Sequence, residues 1–354
     1  MLFERKVTLL RSLMLRFRNS RWFAVMGGIL LLGFLFSQLS PVFLQLRNLQ
    51  NIVVQSAVTG VMAIGMTFVI MTAGIDISVG GILYLTIVLI TEMSLKGLGT
   101  FMPYLIYLVA LVIGAFLGLI NGLLTNYMRI NPLITTLATL SVYRGLSLHI
   151  NQGRHTVAPA SLRFLGIGKI IGIPVPFIMA ILVMLIGSLI LHYTRFGRYA
   201  LAIGNSKRSA YDSGLPVRRV LITVYVIAGF CSGLAGLIML GRVGTVQPNM
   251  GIGIEFTVIT AVVMGGTLLS GGRASILGSL MGAILLVMID NGLNLIHASA
   301  FIYDIVRGSV LVGAVLIDRA TTLGLFKKWF SFSKLVDITH SKIEVHTNYL
   351  KRNH

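Results

Sequence analysis

The sequence predicts an all-α polytopic membrane protein with about ten transmembrane helices and with both termini in the cytoplasm. Three observations support this fold class. Of the 354 residues, 56% are hydrophobic and only 11% are charged, which is far from the balance of a soluble globular domain. Apolar runs recur along the chain, each close to the roughly 20 residues that a helix needs to cross a bilayer. The basic residues, which produce a formal net charge of +19, cluster between these runs.

Ten apolar segments account for the predicted helices. They lie at about 23–39, 52–72, 77–95, 103–122, 131–150, 173–193, 220–241, 256–270, 274–296 and 301–317. We therefore predict a transmembrane domain over 23–317, preceded by a basic cytoplasmic N-terminus (1–22) and followed by a basic cytoplasmic tail (318–354). No small-residue cleavage site follows the first run, so we expect an uncleaved first helix rather than a signal peptide.

The distribution of basic residues predicts the orientation. If the N-terminus is cytoplasmic, 21 of the 29 Lys and Arg residues lie on the cytoplasmic face. The positive-inside rule therefore favours N-in, C-in. Two connections are longer than the others: a cytoplasmic loop at 194–219 and an outer segment at 151–172, each long enough to form a small element at the membrane surface.

Composition also excludes several classes of function. Nucleic-acid binding needs basic residues gathered on one folded face, whereas here they flank apolar spans that face the lipid bilayer. The single cysteine, Cys231, excludes an intrachain disulfide and a four-sulfur metal site. No G-x-x-x-x-G-K-[ST] phosphate loop occurs, and neither G-x-S-x-G nor H-E-x-x-H appears. We therefore predict no metal, no cofactor and no catalytic residue in this chain.

The segment TAGIDISVGG, residues 72–81, interrupts an apolar stretch of about twice one span. A helix break or hairpin is expected near Gly74, because glycine permits the backbone that a break needs. An ionised carboxylate in hydrocarbon costs about 3 kcal/mol even on the mildest scale, so Asp76 should face protein or water. Asp76 or Ser78 can cap the third helix by accepting from its free amides. They can also line a solute path, and the sequence leaves both interpretations open.

Further polar residues lie within or beside the apolar spans. Neutral amides can hydrogen-bond a polyol or can join helices, so we treat them as candidates for a solute pathway. Arg144, Asp290 and Arg307, together with Asp304, which lies three residues before Arg307 on the same helical face, are expected to pair with one another or to reach the interface. The amides in question are Asn121, Asn126, Asn291 and Asn294.

The cytoplasmic loop contains GNSKRSAYDSGLP, which predicts a short amphiphilic helix. Gly204 and Asn205 are expected to begin it, and Gly214 and Pro216 to end it. Ala210, Tyr211 and Asp212 then lie within its turns. Such a helix can dock in a groove of a partner, although a solvated basic loop needed only for topology is the alternative. A weak internal echo relates Gly74, Ser78 and Gly80 to Gly266, Ser270 and Gly272 at one constant offset, which hints at turns of equivalent depth.

Five motifs in order make the sequence resemble a known family. They are AIGMTFVIMTAGIDISVGG, INPLITTLATLSVYRGL, TRFGRYALAIGNSKRSAYDSGLPVRRV, AVVMGGTLLSGGRASILGSLMGA and NGLNLI, within residues 50–317. Together they resemble the membrane permease subunits of ribose-type sugar ABC importers. Thr72 and Ala73 depart from the family pattern, since glycine is common there.

The resemblance implies the ABC importer permease fold and a pathway for a sugar or sugar-like polyol across the bacterial inner membrane. It also implies three partners: a second permease subunit, identical or a paralogue, a cytoplasmic ATP-binding subunit that holds ATP and Mg, and an extracytoplasmic sugar-binding protein. The loop around Ala210 would then be the element that docks on the ATPase. An ion-coupled carrier would instead need a buried carboxylate that changes its protonation or ligation, for which Asp76 and Asp290 are the candidates.

Overall fold

The computed structural model describes residues 22–97 and 103–322. Helices dominate, with four two-residue strands. Contacts divide the chain into two units, residues 1–311 and 312–354. Of the second unit only residues 312–322 are described, and they form the end of a helix. The predictions for the basic N-terminus before residue 22 and for the tail beyond residue 322 lie outside the described residues.

Each of the ten predicted apolar segments contains one long helix in the described residues. Three further helices lie in the connections. In chain order the helices are α1 (Trp22–Leu39), α2 (Leu46–Ile70), α3 (Val79–Leu95), α4 (Pro103–Asn126), α5 (Pro132–Asn151), α6 (Phe164–Ile167), α7 (Val175–Tyr193), α8 (Arg195–Asn205), α9 (Lys207–Asp212), α10 (Val217–Val243), α11 (Ile254–Met264), α12 (Ile276–Leu295) and α13 (Ala300–Thr322).

Length and composition make five of the described helices able to cross a membrane: α2, α4, α7, α10 and α12. α11 is shorter than predicted, since the apolar segment 256–270 is helical only to Met264. Gly265 and Gly266 end it, and Gly266 has φ +93°, a conformation that other residues adopt at a cost. Residues 265–275 therefore form a turn and not the last part of a span.

α2 and α10 occupy the centre of the bundle. α10 packs along α4, and both helices also contact α3. α2 lies between α10 and α12, where the hydroxyls of Thr67 and Ser279 are 2.7 Å apart and hydrogen-bonded. At the other end of α2, Phe43 and Ile52 pack against Val287 of α12.

Glycines set the distance between α4 and α10. Gly114 and Gly118 of α4 lie directly against the backbone of Gly229, and a Cβ at any of the three would overlap main-chain atoms of the facing helix. Spacing of four residues places such glycines on one helix face, which lets two backbones approach closely. This small-residue contact brings the backbones of α4 and α10 close together.

The segment between α5 and α7 forms the small element that its length predicted. β1 (Thr156–Val157) pairs antiparallel with β4 (Thr245–Val246), which follows α10. β2 (Lys169–Ile170) and β3 (Ile173–Pro174) form a hairpin. Gly166 of α6 packs on the backbone of α10 at Gly241. The segment is thereby fixed to the end of α10.

Candidate functional site

The turn after α2 is closed by local hydrogen bonds. The Thr72 hydroxyl donates to the Val69 carbonyl at 2.8 Å, and the Gly74 amide donates to the same carbonyl at 3.2 Å. Ala73 between them has φ +59°, a left-handed conformation that favours glycine. The turn holds this conformation at Ala73, a position where glycine is common in the family that the sequence resembles.

Asp76, Ser78 and Asn121 lie together, fully buried. Asp76 Oδ1 accepts from the Ser78 amide at 2.9 Å and from the Ser78 hydroxyl at 2.6 Å. The Ser78 hydroxyl accepts from Asn121 Nδ2 of α4, and Asn121 Oδ1 accepts from the Tyr143 hydroxyl of α5 at 3.3 Å. This chain of hydrogen bonds joins the start of α3 to two other helices. Its first link is an Asx turn, and Ser78, the N-cap residue of α3, makes no side-chain cap hydrogen bond of its own.

The other three candidate amides lie elsewhere, and Asn126 Nδ2 donates to the Gly122 carbonyl of its own helix, α4, at 3.2 Å. Asn291 of α12 and Asn48 of α2 exchange two hydrogen bonds, each of 2.9 Å, so Asn291 joins two helices. Asn294, near the end of α12, is exposed. The structure therefore brings together Asp76, Ser78 and Asn121 but not Asn291 or Asn294.

Asp290 and Arg307 form an ion pair between α12 and α13. Arg307 Nη2 donates to Asp290 Oδ2 at 2.8 Å and Arg307 Nε donates to Oδ1 at 3.2 Å. Their side chains are 12% and 39% exposed respectively, so the pair is accessible from outside the bundle. This bidentate geometry agrees with the expectation that Asp290 and Arg307 pair, whereas the side chain of Asp304 lies outside the described residues.

A second charged cluster involves a residue that the sequence analysis did not consider. Glu255, in the first turn of α11, is only 5% exposed, and its Oε2 has no hydrogen-bond partner among the described residues. The Arg144 guanidinium of α5 interacts electrostatically with Glu255 and with the Tyr84 hydroxyl of α3. The only signal in the sequence is an acidic residue directly before an apolar run.

Gly80 explains why the TAGIDISVGG segment ends in glycines. A Cβ at Gly80 would lie 2.5 Å from Glu255 Oε2 and 2.9 Å from the Gly251 carbonyl oxygen. Both distances are too short for non-bonded atoms, so any side chain at Gly80 would displace Glu255 or the loop before α11. The start of α3 therefore packs against a buried carboxylate.

The loop 194–219, predicted to be cytoplasmic, contains α8 and α9, and one part of its prediction was wrong. Gly204 and Asn205 end α8 instead of beginning the short helix. Ser206 is the true N-cap of α9, and its hydroxyl accepts from the Ser209 amide at 3.2 Å. The error arose because serine, a preferred cap residue, directly follows the glycine and asparagine. α9 ends at Asp212, Gly214 has φ +76°, and Pro216 precedes the first residue of α10.

The side chains of α9 divide between the bundle and the exterior. Ala210 is buried, whereas Tyr211 is 73% exposed and Asp212 is also exposed. A large open cleft of about 1100 Å³ lies beside the helix. Its lining includes five basic residues from α9 and the ends of neighbouring helices: Arg129, Lys207, Arg208, Arg218 and Arg219.

The loop touches two turns of the bundle at one point, which we call the glycine junction (Met71, Gly204 and Gly272). The Gly272 amide donates to the Met71 carbonyl at 2.9 Å. A Cβ at Gly204 would overlap that carbonyl oxygen and lie 2.5 Å from the Gly272 nitrogen. The end of α8, the end of α2 and the turn 265–275 therefore meet through the backbone atoms of these three residues, with the Asn205 side chain packed against Gly272.

Two cavities lie at the end of the bundle that holds β4. One, of about 320 Å³, is lined in equal numbers by polar or charged residues and by apolar residues or glycine. The other, of about 390 Å³, is lined mainly by apolar side chains of α11, α12 and α13. Neither cavity, nor the cleft beside α9, is lined by Asp76, Ser78 or Asn121. Within residues 22–97 and 103–322, no group of three or more His, Cys, Asp or Glu side chains is placed to hold a metal ion.

Comparison with known proteins gives one family. Residues 48–315 match the family described as "Branched-chain amino acid transport system / permease component". The chain is 42% identical over 295 residues to the ribose import permease protein RbsC of Bacillus subtilis, covering 82% of this chain and 91% of that protein. No solved structure matches the chain.

Two further relatives are named for other sugars. The D-allose transport system permease protein AlsC of Escherichia coli is 36% identical, with 80% of this chain and 87% of the relative covered. The L-arabinose permease protein AraH of Azospirillum brasilense is 32% identical, with 83% and 87% covered. On the match over 48–315 and on relatives of this coverage, the chain belongs to the permease-component family of ABC importers, among its ribose-type members.

Proposed function

We propose that this chain forms the pathway by which an ABC importer carries a monosaccharide or a similar polyol across the bacterial inner membrane. The observation that carries the proposal is the coverage of relatives named for ribose, allose and arabinose, each over at least 80% of the chain. Those names share a class of solute, neutral and rich in hydroxyls. The chain is a transport subunit and not an enzyme.

The partners follow from the family. Permease components of ABC importers act with an ATPase and a substrate-binding protein. We propose that the ATPase here is a separate cytoplasmic subunit that holds ATP and Mg, because the chain has no phosphate loop of its own. A second permease subunit, either a copy of this chain or a paralogue, completes the pathway.

The ten apolar segments predicted from the sequence are proposed to cross the membrane, with both termini inside, and segment 256–270 does so as the 11-residue α11 and the turn that follows it. The five long apolar helices support this arrangement directly. α1, α3 and α11 are shorter apolar helices, and α11 ends where the glycine-rich turn begins. The 21 basic residues on one face support the orientation.

We propose α9 as the element that docks on the ATPase. Ala210 anchors it to the bundle, while Tyr211 and Asp212 are exposed to a partner. The basic residues of the adjacent cleft favour an acidic surface on that partner, because complementary charge steers association. The glycine junction then connects the docking element to α2 and to the turn 265–275.

The test is uptake by vesicles that contain this permease, its ATPase and its binding protein. We expect uptake of pentoses or hexoses to require ATP on the side of the 194–219 loop and the binding protein on the side of the 151–172 segment. Dissipation of the proton and sodium gradients should leave uptake unchanged. Equal uptake without ATP and without the binding protein would identify the chain as a self-sufficient carrier and would refute the proposal.

A further inference from the structure

The smaller of the two cavities beside β4, which we call the polar cavity, is bordered by α2, α10, α11, α12, α13 and the connection 247–253. Its volume of about 320 Å³ falls at the lower end of the range of small-molecule sites, roughly 300–1,000 Å³. Its polar and charged lining consists of Gln55, Thr59, Arg242, Gln247, Asn249, Thr257, Asp290 and Arg307.

We propose that the polar cavity is a low-affinity binding site for the hydroxyl groups of one monosaccharide before it enters the membrane pathway. This inference rests on the proposed function, which supplies the class of solute. It adds a location and the residues that hold the solute, and these differ from the amides that the sequence suggested.

The side chains of the polar cavity suit a neutral polyol. Amide side chains both donate and accept hydrogen bonds, as sugar hydroxyls do. The Arg242 guanidinium donates to Gln55 Oε1 at 3.3 Å, longer than the usual 2.7–3.2 Å, so a hydroxyl can replace this contact at little cost. Among the described residues, no protein group hydrogen-bonds the side chain of Asn249, which is exposed at the cavity wall.

The ion pair separates the polar cavity from its neighbour. Asp290 and Arg307 line both cavities, together with Ile252 and Thr257. The neighbouring cavity is walled mainly by groups such as Phe256, Leu286 and Val310, which cannot replace the hydrogen bonds of a polyol. Charged groups form stronger hydrogen bonds than neutral ones, so a sugar gains most on the side that holds Gln55, Arg242 and Asn249.

The position of the polar cavity agrees with a role at entry. Arg242 lies at the end of α10, where Gly166 of α6 packs on the backbone of residues 241 and 242. Ala158, next to β1, donates its amide to the Gly244 carbonyl at 2.9 Å. The 151–172 segment therefore packs on the end of α10 that contributes Arg242 to the cavity, and that segment is on the side where the proposed topology places the binding protein.

The experiment measures protection of a cysteine at the cavity wall. Val243 lines the polar cavity, is 39% exposed and has no polar group to lose, so Val243→Cys is the reporter. The native Cys231 is buried and should give little background. The full-length variant in membrane nanodiscs reacts with a hydrophilic maleimide while the concentration of D-ribose, D-allose or L-arabinose is raised to the order of 100 mM. Such high concentrations are needed because a weak site, with a Kd near 1 mM for the sugar, supplies a binding free energy of only about 4 kcal/mol.

We expect at least one of these sugars to slow labelling of Val243→Cys severalfold. Free glycine, added as a control solute at equal osmolality, should leave the labelling rate unchanged. Ile171→Cys on the β2–β3 hairpin serves as the control, because Ile171 is fully accessible and lies outside the cavity. Its labelling should not respond to sugar.

Second-site variants then test the residues. Adding Gln55→Leu or Asn249→Ala should raise the sugar concentration for half-protection by about tenfold, as expected for one or two lost hydrogen bonds. Gln38→Leu makes the same kind of change on α1 and should have no effect. The side chain of Gln38 hydrogen-bonds only Ser37 among the described residues. A labelling rate without sugar that matches the parent shows that each variant is folded.

Each result assigns failure to one hypothesis. Absence of protection, or equal protection in Gln55→Leu and its parent, overturns the site even if vesicles import sugar with ATP. Protection in a protein whose uptake ignores ATP supports the site and contradicts the proposed importer function.

Discussion

The Asp76 carboxylate closes the turn between α2 and α3 with one of its two oxygens. Oδ1 accepts both hydrogen bonds from Ser78, whereas Oδ2 is buried without a partner among the described residues. An amide at this position keeps one accepting oxygen and loses the negative charge. The contacts that hold the turn therefore depend on an acceptor at Oδ1 more than on the charge.

We expect Asp76→Asn to lower the yield of folded protein modestly while leaving substrate specificity unchanged. Asp76→Ala removes both hydrogen bonds and should cost about 2 kcal/mol, from roughly 1 kcal/mol for each bond. Thermal unfolding of the purified proteins should show stability decreasing in the order wild type, Asp76→Asn, Asp76→Ala. A well-folded Asp76→Asn protein whose uptake is abolished and depends on a proton gradient would instead favour an ion-coupled carrier.

Glu255 supplies a second residue-scale prediction. Glu255→Gln removes a buried negative charge that attracts the Arg144 guanidinium, so stability should fall by about 1–3 kcal/mol. Glu92→Gln, near the end of α3, is the matched control, because Glu92 is partly exposed. Thermal unfolding of both variants in the same detergent gives the comparison. Equal stability of the two variants would show that the Arg144–Glu255 interaction contributes nothing.

Contacts between residues that are distant in sequence could not be predicted from the sequence pattern. The sequence marked Asp76, Ser78 and Asn121 as polar residues near apolar spans, but a one-dimensional pattern cannot show that Asn121 contacts Ser78. The same limit applies to Asn291, whose partner Asn48 is 243 positions away. Glu255 was missed because a carboxylate at the start of an apolar run is ordinarily exposed, and only packing against Gly80 buries it.

α9 carries the prediction at the scale of a single element. The Ala210 amide donates to the Ser206 carbonyl at 3.0 Å, and Ala210→Pro removes this bond and introduces a steric clash in the helix. We expect the protein to remain in the membrane and ATP-driven uptake to be abolished.

Arg195→Pro is the control for this change. Arg195 is the first residue of α8, where proline is tolerated, and Thr194 before it is already extended, as proline requires of its predecessor. Uptake by Arg195→Pro should remain close to wild type. Normal uptake by Ala210→Pro with the ATPase bound would refute the assignment of α9 as the docking element.

Element positions were predictable because hydropathy determines them. The predicted segment 131–150 became Pro132–Asn151 and 274–296 became Ile276–Leu295. Boundaries set by backbone conformation were less predictable. Gly265 and Gly266 shortened α11 within an apolar run, and Ser206 divided a polar loop into two helices where the sequence suggested one.

At the scale of the whole molecule, the orientation can be tested with the same labelling chemistry. Ile171→Cys on the outer hairpin should react with an impermeant maleimide added outside intact cells. Ser213→Cys, exposed after α9, should react only after the membrane is opened. Reaction of Ser213→Cys from outside would reverse the proposed topology, and the buried Cys231 keeps the parent protein unreactive in both conditions.

The glycine junction has a consequence for how the molecule deforms under load. Side chains absorb small displacements by changing rotamer, but the contact among Met71, Gly204 and Gly272 contains only main-chain atoms. A shift of α8 imposed from the 194–219 loop therefore reaches Met71 and Gly272 through main-chain atoms, which cannot absorb the shift by a change of rotamer. The shift must either move the end of α2 and the 265–275 turn with it or break the 2.9 Å hydrogen bond between Gly272 and Met71. Stiffness at this single point thus makes the loop and the two interrupted segments of the bundle one mechanical part.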